Sequence, residues 1–303
     1  MPLLPNPAPT GSDNVRGILA MVISMAAFVV ADLIVKHAGR DLPIGELLFL
    51  RGFSAAILIT AVAAFTGALK SAWKAISPLM ALRCLGDVGA NLFFFLAVVR
   101  MPFAEVSAIA QFTPLALTAG AALFLGEAVG WRRWAALLVG MMGVIIIIRP
   151  GSSAFDWAAL FVIASVLSVT ARDLITRHMG VRFPVLLLSL FTAVAVAIGG
   201  LVMMPFETWL MPSNELMVLM LISGVCVFIG NYQIIVALRT GEIAVVAPFR
   251  YTILLFAIIG GYLIFGEMPD GITFVGIAVL IGAGLYTLHR ERIRLRTASA
   301  KPS

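Results

Sequence analysis

The chain of 303 residues is 61% hydrophobic and only 12% charged, with a mean hydropathy of +1.07 and a formal net charge of +6. Soluble domains are about half apolar and about a quarter charged, so this composition excludes a water-soluble globule and makes a bilayer the solvent. The surplus of Lys and Arg is then a topology signal facing anionic lipid, and no nucleic-acid partner is expected.

Residues 1–14 are Pro-rich and lack the basic region of a signal peptide, and are expected to form a disordered tail. Crossing a hydrocarbon layer of ~30 Å takes about 20 residues of helix, and ten apolar runs meet that length. Span 1 (16–36) closes on Ala31-Asp-Leu-Ile-Val-Lys36, with Asp32 and Lys36 one helical turn apart. Span 2 (45–66) carries Arg51 about two turns from its start. In span 3 (78–99), Arg83, Asp87 and Asn91 recur every four residues, which aligns them on one face over ~12 Å. Phe95 continues that row.

Span 4 (104–125) contains Gln111 followed by Thr113-Pro114, where a proline removes a backbone hydrogen bond and frees a carbonyl. Span 5 (131–148) has small residues, Gly140 and Gly143. Span 6 (155–177) ends on a second copy of the span 1 phrase, Arg172-Asp-Leu-Ile-Thr-Arg177, with Asp173 and Arg177 again one turn apart. Span 7 (184–204) opens on Pro184. Span 8 (215–237) offers Asn231, Tyr232 and Gln233, and span 9 (243–265) has Pro248, Arg250 and Tyr251. Span 10 (270–287) carries Gly276, Gly282 and Gly284, and residues 289–303 form a basic tail. Cys84 and Cys226 sit in apolar runs as core residues; no disulfide, metal site or cofactor is expected.

Because backbone groups must be satisfied inside lipid, the ten spans are expected to be helices, giving an all-α membrane protein. With the N-terminus inside, the cytoplasmic segments hold thirteen Lys and Arg and the opposite loops hold Arg40, Arg100 and Arg149 alone, so both termini are expected in the cytoplasm. The two halves, 15–150 and 151–288, also repeat each other. Besides the phrase shared by spans 1 and 6, Asn91-Leu-Phe-Phe-Phe-Leu-Ala97 is echoed by Asn231-Tyr-Gln-Ile-Ile-Val-Ala237, and Leu123-Phe-Leu-Gly-Glu127 by Ile264-Phe-Gly-Glu267. Five spans are an odd number, so the second copy enters the membrane inverted. Inverted repeats typify secondary transporters, whose substrate lies near the midplane between the halves.

The stretches FFFLAVVRMPFAEVSAIAQFTPLALTAGAALFLGE and VALRTGEIAVVAPFRYTILLFAIIGGYLIFGE resemble the paired EamA repeats of the drug/metabolite transporter superfamily, and the similarity covers nearly the whole chain. The resemblance implies a central cavity from spans 1–4 and 6–9, spans 5 and 10 as a peripheral scaffold, no cofactor, and residence in a bacterial inner membrane. It leaves the substrate open, since bacterial members include exporters of amino acids and other small metabolites.

An ionisable group at the centre of a span costs ~2.5–3.5 kcal/mol, so each needs a partner or a role. Arg51, Arg83, Asp87, Asn91, Gln111, Asn231, Gln233, Arg250, Tyr251 and Phe95 are the candidate cavity residues. Four in-span arginines (Arg51, Arg83, Arg172, Arg250) face three aspartates (Asp32, Asp87, Asp173), which leaves one positive charge over. A carboxylate with an apolar or aromatic body, such as an amino acid, suits that balance. Another small solute (nucleobase, drug or cation) in the same fold is the alternative. The pairs Asp32–Lys36 and Asp173–Arg177 read either as local ion pairs at the membrane border or as gates, one per side. A channel or intramembrane enzyme is disfavoured: no repeated filter motif and no Gly-x-Gly-Asp or Gly-x-Ser-x-Gly signature appears. Monomer and homodimer are both compatible, because the small residues of spans 5 and 10 permit close packing within or between chains.

Overall fold

The computed structural model describes residues 11–67, 69, 76–127, 129–152, 155–179 and 185–299. Lys70, Lys74 and Arg182 of the charge count, and the outer parts of both tails, lie outside that set. The described chain folds into twelve α-helices: α1 (Gly11–Ala38), α2 (Ile44–Phe65), α3 (Pro78–Val98), α4 (Phe103–Ala110), α5 (Thr113–Phe124), α6 (Trp131–Ile148), α7 (Ala158–Met179), α8 (Val185–Met203), α9 (Asn214–Thr240), α10 (Ile243–Val246), α11 (Thr252–Phe265) and α12 (Gly271–Ser299). Ten segments are long and apolar enough to cross a membrane, their ends within four residues of the predicted spans. Span 4 is α4 plus α5; span 9 is the 3-10 turn Ala247–Tyr251 plus α11.

Both tails are more helical than expected. α1 begins at Gly11, so residues 11–14 are not a disordered tail; the Asn14 Oδ1 accepts from the Glu242 backbone N–H at 2.8 Å. α12 continues through the basic segment to Ser299.

The proline interruptions fall where the sequence places them. α4 stops at Gln111 and α5 restarts with Pro114 in its first turn, while Pro248 sits in the 3-10 turn ahead of α11. Threonines complete both junctions: Thr113 donates to the Ala110 carbonyl and Thr252 to that of Phe249, each at 2.7 Å.

The packing follows the inverted repeat. The most extensive contacts pair spans 1 with 8, 3 with 6, 2 with 7 and 5 with 10; exchanging the halves turns the first two into each other and each of the last two into itself. Every one joins the first half to the second, so the halves interlock. Spans 2 and 7 cross at bare backbone, where a Cβ on Gly200 would lie 2.4 Å from the Gly45 carbonyl oxygen and 2.5 Å from the Phe49 nitrogen. Spans 5 and 10 close similarly, Gly143 facing the backbone of Gly276 and Leu280. These small residues are thus used inside one chain.

Pseudo-symmetry extends to the turns after spans 4 and 9. Gly126 and Gly266 both take the left-handed conformation (φ +68 and +69), which costs a glycine nothing. In each, the next residue's N–H reaches back six positions, Glu127 to Ala121 (3.2 Å) and Glu267 to Gly261 (3.1 Å), closing the helix end over the left-handed glycine. The two glutamates of the repeated Gly-Glu therefore emerge equivalently at opposite ends of the bundle. The end near residue 11 is called proximal below, and that near residues 38–44 distal.

Candidate functional site

A cavity of about 350 Å³ opens between the halves. Its wall is built by Phe28 of span 1, Arg51, Gly52, Ala55 and Ile59 of span 2, and Arg83, Asp87 and Asn91 of span 3. The second half adds Arg172, then Ser189, Thr192, Ala193 and Val196 of span 7, Val227, Asn231 and Ile234 of span 8, and Arg250. The polar row of span 3 faces inward as its four-residue spacing requires.

Asp87 organises one side. It is 1% exposed; Oδ2 accepts from Arg83 (2.8 Å) and the Thr192 hydroxyl (2.6 Å), and Oδ1 from Arg172 (3.0 Å). Arg83 also donates Nε to Thr176 (3.0 Å), and Arg172 pairs with Asp173 (2.8 Å). Spans 3, 6 and 7 are thereby tied through one carboxylate. Removing one member of such a buried group strands the others and typically costs ~3–5 kcal/mol. Asp87→Ala is therefore expected to lower the melting temperature sharply, whereas Asn91→Ala, which loses one hydrogen bond, shifts it little; circular dichroism or nano-DSF on both variants is the check.

On the other side Arg51 donates to Asp32 at 2.8 Å and stacks over the Phe95 ring, 5.2 Å from its centroid. Asn91 and Asn231 occupy equivalent positions and make equivalent bonds, each donating Nδ2 to the carbonyl four residues earlier (2.9 and 2.8 Å). Among the described residues, each amide keeps its oxygen and second N–H free of partners. Arg250 differs from the other three arginines. No carboxylate of the described residues lies within 4.0 Å of it, and its side chain is accessible through the cavity. The surplus charge counted in the sequence is this guanidinium.

Of the ten predicted cavity residues, six line the cavity: Arg51, Arg83, Asp87, Asn91, Asn231 and Arg250. The other four are placed elsewhere. Phe95 is fully buried behind Arg51, and Gln111 is buried at the α4–α5 junction. Tyr251 turns its hydroxyl away onto Gly284 of span 10, and Gln233 lies on a part of span 8 that is not in the wall. Span 4, expected to contribute, supplies no wall residue. Arg172, which entered the charge balance but not the cavity candidates, lines the cavity as well, as do Ser189, Thr192 and Phe28. The readable trace was in span 7, where Ser189 and Thr192 are hydroxyls three residues apart in an otherwise apolar helix.

The local pairs expected at the ends of spans 1 and 6 do not form. Asp32 bonds Arg51 and Asp173 bonds Arg172, while each base crosses to the other half. Lys36 reaches Glu267 at 2.6 Å and the Met101 carbonyl at 2.6 Å, and the same glutamate accepts from the Phe103 N–H at 2.8 Å. Arg177 reaches Glu127 at 2.8 Å. These are the same two elements of the repeat, met at opposite ends. The distal Lys36 side chain is 8% exposed and the proximal Arg177 side chain 48%. Further distal seals join spans 2 and 7, where Glu207 accepts from the Gly45 N–H (2.8 Å) and Glu46 from the Leu210 N–H (3.1 Å). At the same end, Arg149 and the Thr273 N–H hold the Asp270 carboxyl well below the usual carboxylate range. That lowered value makes its contribution complete above the ordinary carboxylate pKa of about 4, fading as pH falls below it.

Comparison with known proteins agrees with this architecture. The model of the EamA-like transporter family matches residues 15–149 and 156–288. A riboflavin transporter of Rhizobium johnstonii is 33% identical over 201 residues, 65% of each chain. An S-adenosylmethionine uptake transporter of Rickettsia prowazekii is 25% identical over 91% of this chain and 94% of its own. The pseudopaline exporter CntI of Pseudomonas aeruginosa is 28% identical over 91% and 96%. One solved crystal structure superposes with a TM-score of 0.63 at 18% identity, covering 90% of this chain and 95% of the other.

Proposed function

Because the chain belongs to the EamA-like transporter family of the drug/metabolite transporter superfamily, matched over both of its halves, we propose that it moves a small carboxylate-bearing metabolite by alternating access, with amino acids the first class to test. The observation that carries this reading is Arg250, an arginine without a carboxylate partner facing a cavity between the halves. A cation left unmatched on a cavity wall favours an anionic guest over a neutral or cationic one. The free oxygens of Asn91 and Asn231 suit an ammonium group beside that carboxylate, as in an amino acid. The positive-inside distribution supports a cytoplasmic proximal face, and the bacterial relatives support residence in an inner membrane. A second reading has a ring-bearing solute in the same cavity, supported by the riboflavin and S-adenosylmethionine transporters among the relatives and by Phe28 on the wall.

Gating follows from the crossing ion pairs. In this conformation the distal pair is shielded and the proximal pair open to water, consistent with a cavity reached from the proximal side. Exchange of those two environments as the halves rock gives access to the other side.

The test is flux of labelled amino acids, flavin, purine nucleosides and an organic cation in proteoliposomes. Saturable uptake with counterflow for the carboxylates is expected. Linear uptake that does not saturate, or chemical conversion of the solute, would replace the carrier with a channel or an enzyme.

A further inference from the structure

The central cavity does not stand alone. A second chamber of about 340 Å³ adjoins it between spans 2, 7 and 8 at the proximal end. Ile59, Ser189 and Asn231 belong to both walls, so they form a shared waist. The two rooms differ in chemistry. The first is edged by four arginines and an aspartate, whereas the second is lined by Val62, Leu186, Phe228, Tyr232 and Ile235, with Thr66 and Arg239 also on its wall.

We infer that this second chamber is the specificity subsite: it receives the apolar body of the solute while the carboxylate is held in the first room near Arg250. The inference rests on the carboxylate reading above and goes beyond it by assigning selection to named residues. Adjacency carries the argument. An apolar room that shares three wall residues with a charged one fits an amphipathic guest, because each part of the guest finds its own solvent. The waist supplies only neutral groups, the Ser189 hydroxyl and the Asn231 amide, so a junction between the two parts of a guest meets no charge there. Val62, Phe228 and Ile235 then set how large that body is, while Arg250 sets only that a carboxylate is present.

The test is direct binding of alanine, leucine and phenylalanine to the purified protein, in the native sequence and with Val62→Trp, which fills the chamber. Burying an aryl side chain is worth at least about tenfold in affinity. The native protein is expected to bind phenylalanine at least about tenfold more tightly than alanine. Val62→Trp is expected to remove that gain while leaving alanine within about twofold, and Ile235→Trp should repeat the result if Val62→Trp fails to fold. A chamber filled by lipid tails gives the native protein equal affinity for all three, which overturns the inference and leaves the carboxylate reading standing. A size preference that survives both tryptophans also overturns it. Failure of every carboxylate to bind the native protein overturns both readings together.

Discussion

Replacing Arg250 with alanine is expected to weaken binding of a carboxylate solute by about 1.5 to 3.5 powers of ten while leaving the empty protein as stable as before. The two halves of that expectation have one cause. Arg51, Arg83 and Arg172 each meet an aspartate, whereas Arg250 meets none among the described residues. An arginine without a carboxylate partner contributes no ion-pair energy to the empty fold, so removing it takes no such energy away. Losing one partner of a desolvated, hydrogen-bonded charge pair costs ~2–5 kcal/mol in a complex, hence the range of the affinity loss. Arg250→Lys keeps the charge but not the planar fork, and should fall between the two, within about tenfold of the native affinity. Calorimetry or fluorescence binding together with a melting curve reads both quantities. A variant that melts early and binds normally would make Arg250 a structural residue.

The second large effect is expected at Lys36. Its side chain is 8% exposed and holds Glu267 and the Met101 carbonyl together, so Lys36→Glu places two carboxylates against each other in a shielded site. Breaking a buried pair costs ~3–5 kcal/mol, enough to move a two-state equilibrium by more than a hundredfold. Transport should collapse in Lys36→Glu and return in the double variant Lys36→Glu/Glu267→Lys. The equivalent reversal at Arg177 should do much less, because that pair is about half exposed and such pairs are worth ~0–1 kcal/mol. Equal losses at the two ends, or no rescue by the exchange, would show that the crossing pairs do not set access.

What was readable in the sequence and what was not divide along one physical line. Span number, the interrupted spans 4 and 9 and the inward face of span 3 depend on properties local to a helix: apolar length, proline, and the spacing of Arg83, Asp87 and Asn91. Those features are found where the sequence puts them. Rotation of a helix about its own axis depends on what packs against it, and there the reading failed. Tyr251 neighbours Arg250 yet points the opposite way because Gly284 leaves room for its ring, and Phe95 extends the polar row of span 3 only to be covered by Arg51. Partner choice was lost for the same reason. Asp32 and Lys36 are one turn apart, but Asp32 pairs with Arg51 of span 2 and Lys36 with Glu267 of the turn after span 9. The repeat itself contained the better clue, since the glutamate that each base reaches belongs to the other repeated phrase, Gly-Glu at 126–127 and 266–267.

Alternating access is tested most directly by which face reaches the cavity. With Cys84 and Cys226 replaced, a cysteine at Asn231 can be labelled by a membrane-impermeant thiol reagent from either side of oriented vesicles. The native gate is expected to allow labelling from the proximal side only, and Lys36→Glu to raise distal labelling at least about tenfold while proximal labelling falls. Labelling from both sides at once, or a pattern that Lys36→Glu leaves unchanged, would contradict a carrier that opens one end at a time.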